Sequence, residues 1–423
     1  MIDILKIRDH GDEVIERLRV RNMDATKLVK DLKTLDETKR QLQKKLDDTL
    51  AEANALAKQT GILFKSGKAA EAGPLKEKSA MLKKQSKQLQ DQLEKTNEKF
   101  NELIVLLPNL PHPSVPAGNS DADNEVVQDA GKVKRAAEDA LSHWDLAKKY
   151  DIIDFERGTK ITGAGFPVYK GLGARLQRAL ITFFLDEALN AGYTEYQPPL
   201  LVNENSAFGT GQLPDKDGQM YHVPSDNLYL IPTSEVPITN LFRDTILQED
   251  ELPVKCTAYS VCFRREAGSY GKDVRGLNRL HQFDKVEIVQ VTKPELSYKA
   301  LDEMVTHVSA LLKKLELPYR ITRLCGGDLG FAAALTYDME VWSAAQGRWL
   351  EVSSISNFEA YQSNRLKLRY KTPEGKNRLA HTLNGSALAL PRILAALLEN
   401  NQCEEGIYIP KALQAYTGFR YIQ

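Results

Sequence analysis

The chain has 423 residues, 42% of them hydrophobic, and its 57 Lys and Arg equal its 57 Asp and Glu. That length exceeds what one hydrophobic core organises, so two domains are expected, and the even charge balance excludes a chain-wide electrostatic case for a polyanionic partner. No apolar run approaches the roughly 20 residues that cross a bilayer, and acidic groups occupy the start MIDILKIRDHGDE where a secretory signal carries an apolar block, so a cytoplasmic protein with no membrane role is expected.

From Asp24 to about Leu107 apolar residues recur three and four apart in two stretches. The first stripe runs through Leu28, Leu32, Leu35, Leu42, Leu46, Ala53 and Leu56, and the second through Leu75, Leu82, Leu89, Leu93, Thr96, Phe100 and Leu103. Between them the segment from Gly61 to Pro74 carries three glycines and ends on Gly73-Pro74, where a helix can begin. The pattern predicts a helical hairpin over about 26–107, its two helices packed on each other, reaching roughly 50 Å at 1.5 Å per residue. It holds 17 Lys or Arg against 12 Asp or Glu, which makes it mildly basic. By itself it fits a dimerising or spacer coiled coil with a solvated face as well as an arm for a polyanion.

Four prolines from Pro108 to Pro116 stop the second helix, which places a domain boundary near residue 110. Beyond it, runs such as NLYLIP, CTAYSVCF, KVEIVQV and RWLEVSSIS read as strands, and LGARLQRALITFFLDEALNAG and LSYKALDEMVTHVSALLKKL as helices, a mixed α+β domain over 111–423. Glycine-rich phosphate loops of the GxGxxG and GxxxxGK[ST] types are absent, so Rossmann and P-loop sites are unsupported. Cys256, Cys262, Cys325 and Cys403 are far apart with no CxxC pair, so free thiols and no structural zinc are expected.

Ser260 to Val291 reads as strand, glycine-containing loop, strand. The period of two puts Arg264 and Glu266 on one face, opposite Phe283, Lys285 and Glu287 on the return: a polar floor with an aromatic plate, as a nucleotide site without a P-loop requires. FRREAGSYGKDVRGLNRLHQFDKVE resembles motif 2 of class II aminoacyl-tRNA synthetases in its seryl version. PTSEVPITN resembles that family's serine-binding segment, EVSSISNFEAYQSNRL its metal and ATP strand, LNGSALALPRILAALLEN its motif 3, and the helix before YQPPLLV its motif 1. With the arm, the resemblance spans essentially the whole chain, with motif 1 at about 178–202, motif 2 at about 260–291 and motif 3 at about 383–400.

The resemblance implies a class II catalytic domain built on an antiparallel sheet flanked by helices. It implies ATP-dependent activation of serine, followed by transfer to tRNA(Ser), and to tRNA(Sec) where present. Activation is an in-line attack of a carboxylate oxygen on the α-phosphorus of ATP, so the protein mainly aligns two anions and neutralises developing charge. Arg264, with a planar fork able to bridge carboxylate and phosphate, is the implied central catalytic residue, joined by Arg392. For ATP the family pattern points to Arg264, Arg265, Glu266, Phe283, Glu351, Val352, Ser353, Ser354 and Arg392, with Glu351 and Ser354 on magnesium.

Thr233, Ser234, Glu235, Arg264, Glu287, Asn384 and Ser386 are implied around serine. If Glu287 accepts the serine hydroxyl, alanine would leave a buried carboxylate unpaired, and hydroxyl-reading sites reject such analogues by about 10⁴ to 10⁵. Lys58, Lys65, Lys68, Lys76, Lys83, Lys84 and Lys87 become candidates for tRNA contacts by shape and phosphate, and a homodimer through motif 1 is expected. Motif 3 departs from the pattern at Ala387 and Pro391, where many class II enzymes have glycine, and no role follows for Arg265 in the second position of FRRE.

Taken singly, each assignment has a plainer reading: a surface ion pair for an Arg or Glu, a core position for Phe283, a helix cap for Thr233 and Glu235, a structural place for His143 in HWDLAKKYD. The joint occurrence in family order favours the site. An amino acid:carrier-protein ligase would normally lack the long arm, a coiled-coil scaffold has no use for Arg264, Glu266, Glu287 and Arg392 together, and a class I synthetase would carry signature motifs not found in this sequence.

Overall fold

The computed structural model describes residues 1–68, 72–133, 140–215, 218–265 and 275–423. The chain divides into two compact units, one of residues 2–19 and 23–108, the other of Met1, 20–22 and 109–423.

The first unit is built on two long helices, α1 (Thr26–Lys65, 40 residues) and α2 (Ala72–Ile104, 33 residues). Every residue of the two apolar stripes is buried or half-buried, and Leu46, Leu89 and Leu93 pack with Leu42 into one cluster between the helices. The turn is shorter than the glycine spacing implies. Gly61 lies inside α1, at a cost of about 1 kcal/mol that a long, packed helix absorbs. Gly73 and Pro74 lie in the first turn of α2, where the missing proline N–H has no intrahelical acceptor to lose. Two short helices, Ile4–Asp9 and Gly11–Arg19, precede the pair. Arg8 grips the buried carboxylate of Asp36 on α1 through two bonds of 2.9 and 3.0 Å, and Arg40 adds a third at 3.1 Å. Lys58, Lys65, Lys68, Lys76, Lys83, Lys84 and Lys87 are all exposed.

The second unit centres on an eight-stranded sheet of β1 (Glu125–Ala130), β2 (Thr194–Glu195), β3 (Val254–Phe263), β4 (Gln282–Thr292), β5 (Tyr319–Arg323), β6 (Leu335–Ser343), β7 (Arg348–Asn357) and β8 (His381–Ala389). The spatial order is β1-β5-β6-β7-β8-β4-β3-β2, antiparallel throughout except for β2, which runs parallel to β3. Strands β4 and β8 sit in the middle and are buried almost without interruption. Polar side chains on these strands are therefore largely withdrawn from water, a cost met only where each finds a partner. Helices α3 (Gly171–Asn190), α5 (Ser297–Lys314) and α7 (Leu390–Asn400) pack on the sheet, and the short α4 (Glu235–Asn240) and α6 (Tyr361–Leu366) lie beside its centre. The strands and helices read from NLYLIP, CTAYSVCF, KVEIVQV, RWLEVSSIS and the two apolar helical patterns are all present.

Among the described residues no helix is long and apolar enough to cross a membrane. The four cysteines are unbonded, with Cys256, Cys262 and Cys325 buried and Cys403 exposed.

Candidate functional site

A cavity of about 480 Å³ opens over the middle of the sheet. The strands around it are immediate neighbours in the order β7-β8-β4-β3. Strand β7 contributes Glu351, Val352, Ser353 and Ser354, β8 contributes Asn384 and Ser386, and β4 contributes Phe283, Lys285 and Glu287. Arg264 stands one residue past the end of β3, Thr233 just ahead of α4, Glu235 at its first residue, and Arg392 in the first turn of α7. Twelve of the residues assigned to the site from the sequence, and Lys285 with them, thus share one cavity. Two do not line it: Ser234 is fully buried with its hydroxyl turned to the Ala258 carbonyl at 3.4 Å, and Arg265 is exposed, its guanidinium 5.3 Å from the Tyr221 ring. Glu266 lies outside the described residues.

Arg264 is not on the strand that the period of two implied. Pairing of β3 with β4 ends at Phe263–Gln282, and the Arg264 amide instead donates to the His281 carbonyl at 2.9 Å. Its Nε donates to the Pro232 carbonyl at 3.3 Å, which ties the guanidinium to the segment that delivers Thr233 and Glu235. The guanidinium carbon lies 5.3 Å from the centre of the Phe283 ring, within cation–π range.

The acidic end of the cavity is formed by Glu235 and Glu287. Burial above all, and then the negative charge of Glu287, push the Glu235 carboxyl up to about 7. Gln362 on α6 donates to Glu235 Oε1 at 2.7 Å, and Thr233 Oγ1 accepts the Glu235 amide at 3.2 Å, so Thr233 also serves as a local cap. Glu287 is already partnered: Lys285 Nζ lies 2.6 Å from its Oε2, and Ser386 donates to the same oxygen at 3.5 Å. The Ser353 hydroxyl donates to the Ser386 carbonyl at 2.5 Å and braces β7 against β8. Two carboxylates with one lysine leave room for one more positive charge.

At the other end Arg392 donates from Nε to the Asn278 carbonyl at 3.0 Å and from Nη1 to the Glu351 carbonyl at 2.7 Å, with Glu351 Oε2 at 3.4 Å. Asp338 on β6 faces Ser354 across the β6–β7 ladder. Burial first, and then the charge of Glu351, hold the Asp338 carboxyl well above the usual carboxylate range, and its Oδ1 has no hydrogen-bond partner. An oxygen-only set of Glu351, Ser354 and Asp338 suits a hard divalent cation, which would relieve that repulsion. Among the described residues no three His, Cys, Asp or Glu side chains form a metal-binding group by themselves, so waters or other oxygens would complete any such shell. Magnesium usually binds in this way, through one or two carboxylates plus phosphates.

Gln362, Asn278 and Asp338 were not legible as site residues in the sequence, because each meets its partner on a different element of the fold.

The chain is similar along its whole length to known proteins of one family. Residues 1–111 match the model of the seryl-tRNA synthetase N-terminal domain, and residues 221–401 that of the tRNA synthetase class II core domain (G, H, P, S and T). The serine–tRNA ligase of Salinibacter ruber is 51% identical over all of this chain and 99% of its own length. That of Neisseria meningitidis is 46% identical over 99% of this chain and 98% of its own. The crystal structure of the seryl-tRNA synthetase from Pyrococcus horikoshii complexed with ATP superposes with a TM-score of 0.92, at 34% identity and 99% coverage of both chains.

Proposed function

The chain belongs to the seryl-tRNA synthetase family, and on that premise we propose that it is a serine–tRNA ligase whose two half-reactions run in the cavity above β3, β4, β8 and β7. In the first, a carboxylate oxygen of serine attacks the α-phosphorus of ATP, forming seryl-adenylate and releasing pyrophosphate. In the second, a hydroxyl of the terminal tRNA ribose attacks the seryl carbonyl and AMP leaves. The observation that carries the reading is the setting of Arg264, which is tied through the Pro232 carbonyl to the segment bearing Thr233 and Glu235 and lies 5.3 Å from the Phe283 ring.

The amino acid enters with its ammonium toward Glu235 and Thr233 and its hydroxyl toward Glu287, Asn384 and Ser386. Ionised Glu235 and Glu287 balance the ammonium and Lys285, so the filled pocket is close to neutral. The guanidinium of Arg264 spans the serine carboxylate and the α-phosphate, lowering the repulsion between two anions that have to touch. Phe283 supplies the surface for the adenine, Glu266 an acceptor for its amino group, and Arg392 charge for the γ-phosphate. The residues of β7 line the phosphate path. Glu351 and Ser354 would hold a magnesium ion, which would supply further positive charge to the phosphates.

Residues 1–110 form the tRNA-binding domain and 111–423 the catalytic domain. The exposed lysines near the tip of α1 and α2 meet the phosphates of tRNA(Ser), and of tRNA(Sec) where it occurs. Exposed Leu189, Tyr196, Leu200 and Leu201 around motif 1 support a homodimer that buries them. The protein works in the cytoplasm.

ATP–pyrophosphate exchange measured with each of the twenty amino acids tests the assignment. Serine should support the fastest exchange of the twenty, and faster exchange with glycine or alanine would overturn it.

A further inference from the structure

We propose that His143 and Glu399, neither of which touches the cavity, form a positioning pair that fixes the returning end of the motif 2 loop and thereby sets Arg392 for ATP. The proposal rests on the reading above that Arg392 meets ATP.

His143 opens a short helix, His143–Lys149, and is completely buried. Its Nε2 accepts the amide of Leu277 at 2.9 Å, and its Nδ1 lies 2.7 Å from Glu399 Oε1. An amide only donates, so Nε2 carries no proton, and the imidazole is the neutral tautomer with its hydrogen on Nδ1, directed at the carboxylate. The side chain of Glu399, near the end of α7, is equally buried. It also receives the His143 amide at 3.1 Å, Gln346 Nε2 at 3.2 Å and the Ser343 hydroxyl. Burial alone would raise this carboxyl, but the bonds from His143 and Ser343 hold it below the usual range.

The contacts close a circuit. Asn278, next to Leu277, donates from its side chain to Gln346 Oε1 at 2.9 Å and offers its carbonyl to Arg392 Nε at 3.0 Å. Arg392 and Glu399 are seven residues apart on α7, about two helical turns. The helix therefore holds the loop end at both places, directly through Arg392 and through the imidazole from Glu399. Gly276 has a φ of +67°, and a Cβ there would stand 2.3 Å from His143 Nε2, so the chain comes this close to the ring only without a side chain. Packing alone would be served as well by apolar groups, whereas a ring held by a fixed tautomer sets both distance and direction.

Three variants separate this role from a general structural one. In His143→Asn the amide nitrogen replaces Nδ1 and keeps the bond to Glu399, but nothing accepts from Leu277. Gln346→Ala, at a half-exposed position, frees the Asn278 side chain. Glu399→Gln keeps the shape and an acceptor for His143. ATP affinity by calorimetry without serine, and both KM values by pyrophosphate exchange, are the readouts. We expect His143→Asn to weaken ATP about tenfold and Gln346→Ala several-fold, each with the serine KM within twofold of the parent, and Glu399→Gln to stay within about threefold for ATP. Serine and ATP constants that rise together, or an unchanged ATP constant in folded His143→Asn or Gln346→Ala, overturn the proposal. If His143→Asn does not fold, Gln346→Ala decides. A parent that binds ATP without serine-dependent exchange would refute the functional assignment and leave this test readable.

Discussion

Glu235 and Glu287 approach the same small pocket from a helix start and a central strand, and their mutual repulsion adds to burial in keeping Glu235 protonated up to about pH 7. An empty pocket therefore carries less negative charge than its composition suggests, and the ammonium of the substrate restores the missing ionisation.

Serine affinity should accordingly depend on pH with a definite sign. Below about 7 Glu235 is protonated and the ammonium must displace that proton, so the serine KM should fall about tenfold per unit as pH rises toward neutrality, then level off. The ATP KM should change far less over that range. The same shift makes the ligand-free fold less stable with rising pH, because a carboxyl raised from 4.5 to about 7 costs nothing below 4.5 and its full amount above 7. Glu235→Gln should raise Tm at pH 8 and abolish serine-dependent exchange; an unchanged or lower Tm would mean the carboxyl is not strained.

Replacing Arg264 by Lys should reduce the rate of adenylate formation by about 10² to 10³, the usual loss when one charge-stabilising donor leaves a transition state. A point charge cannot bridge two anions as the fork does. Single-turnover adenylate formation at saturating serine and ATP is the measurement, and a rate within a few-fold of the parent would contradict the role.

Rejection of alanine should be weaker than an unpaired Glu287 would impose. Lys285 already holds that carboxylate, so absence of the hydroxyl costs the site one charged hydrogen bond, about 1.5 to 3 kcal/mol. Alanine should then be about 10- to 200-fold worse than serine in exchange kcat/KM. A ratio beyond about 10⁴ would indicate that Glu287 leaves Lys285 when the substrate binds.

Changing Lys83, Lys84 and Lys87 together to Ala should raise the KM for tRNA while serine-dependent exchange stays at the parent rate. Each lost phosphate contact should lower the slope of log affinity against log salt by about one. Charging with an unaltered tRNA KM would remove these three from the contact set. Deleting Thr26 to Leu107 extends the test, and normal charging by the shortened chain would refute a role for the arm altogether.

Much of this was legible in the residues. The leucine stripes of α1 and α2 face each other because a period near 3.5 leaves only that solution, and KVEIVQV reads as a strand, but the central place of β4 and β8 was not legible, because the polar residues of QFDKVEIVQVT and HTLNGSALA look like those of half-exposed strands. The pairing of Lys285 with Glu287 follows from the period of two. The end of β3 was not legible, since nothing in FRRE marks where its ladder with β4 stops. Nor was the outward turn of Ser234, which depends on the Ala258 carbonyl beside it. The His143–Glu399 contact joins residues 256 apart in the chain, a separation at which no local pattern carries information.

Arg264, Glu287, Ser386 and Glu351 belong to four successive strands, or the residue just past one, and strands in a sheet stand about 4.8 Å apart. Along β4 itself Phe283 and Glu287 stand four residues apart, about 13 Å at roughly 3.3 Å per residue, so the distance from the nucleotide side of the cavity to its acidic pocket is set by rungs of a hydrogen-bonded ladder, a ruler that side-chain exchange cannot lengthen. Within such a frame the choice of amino acid can drift by altering what each rung bears, while the span between the reacting partners stays constant.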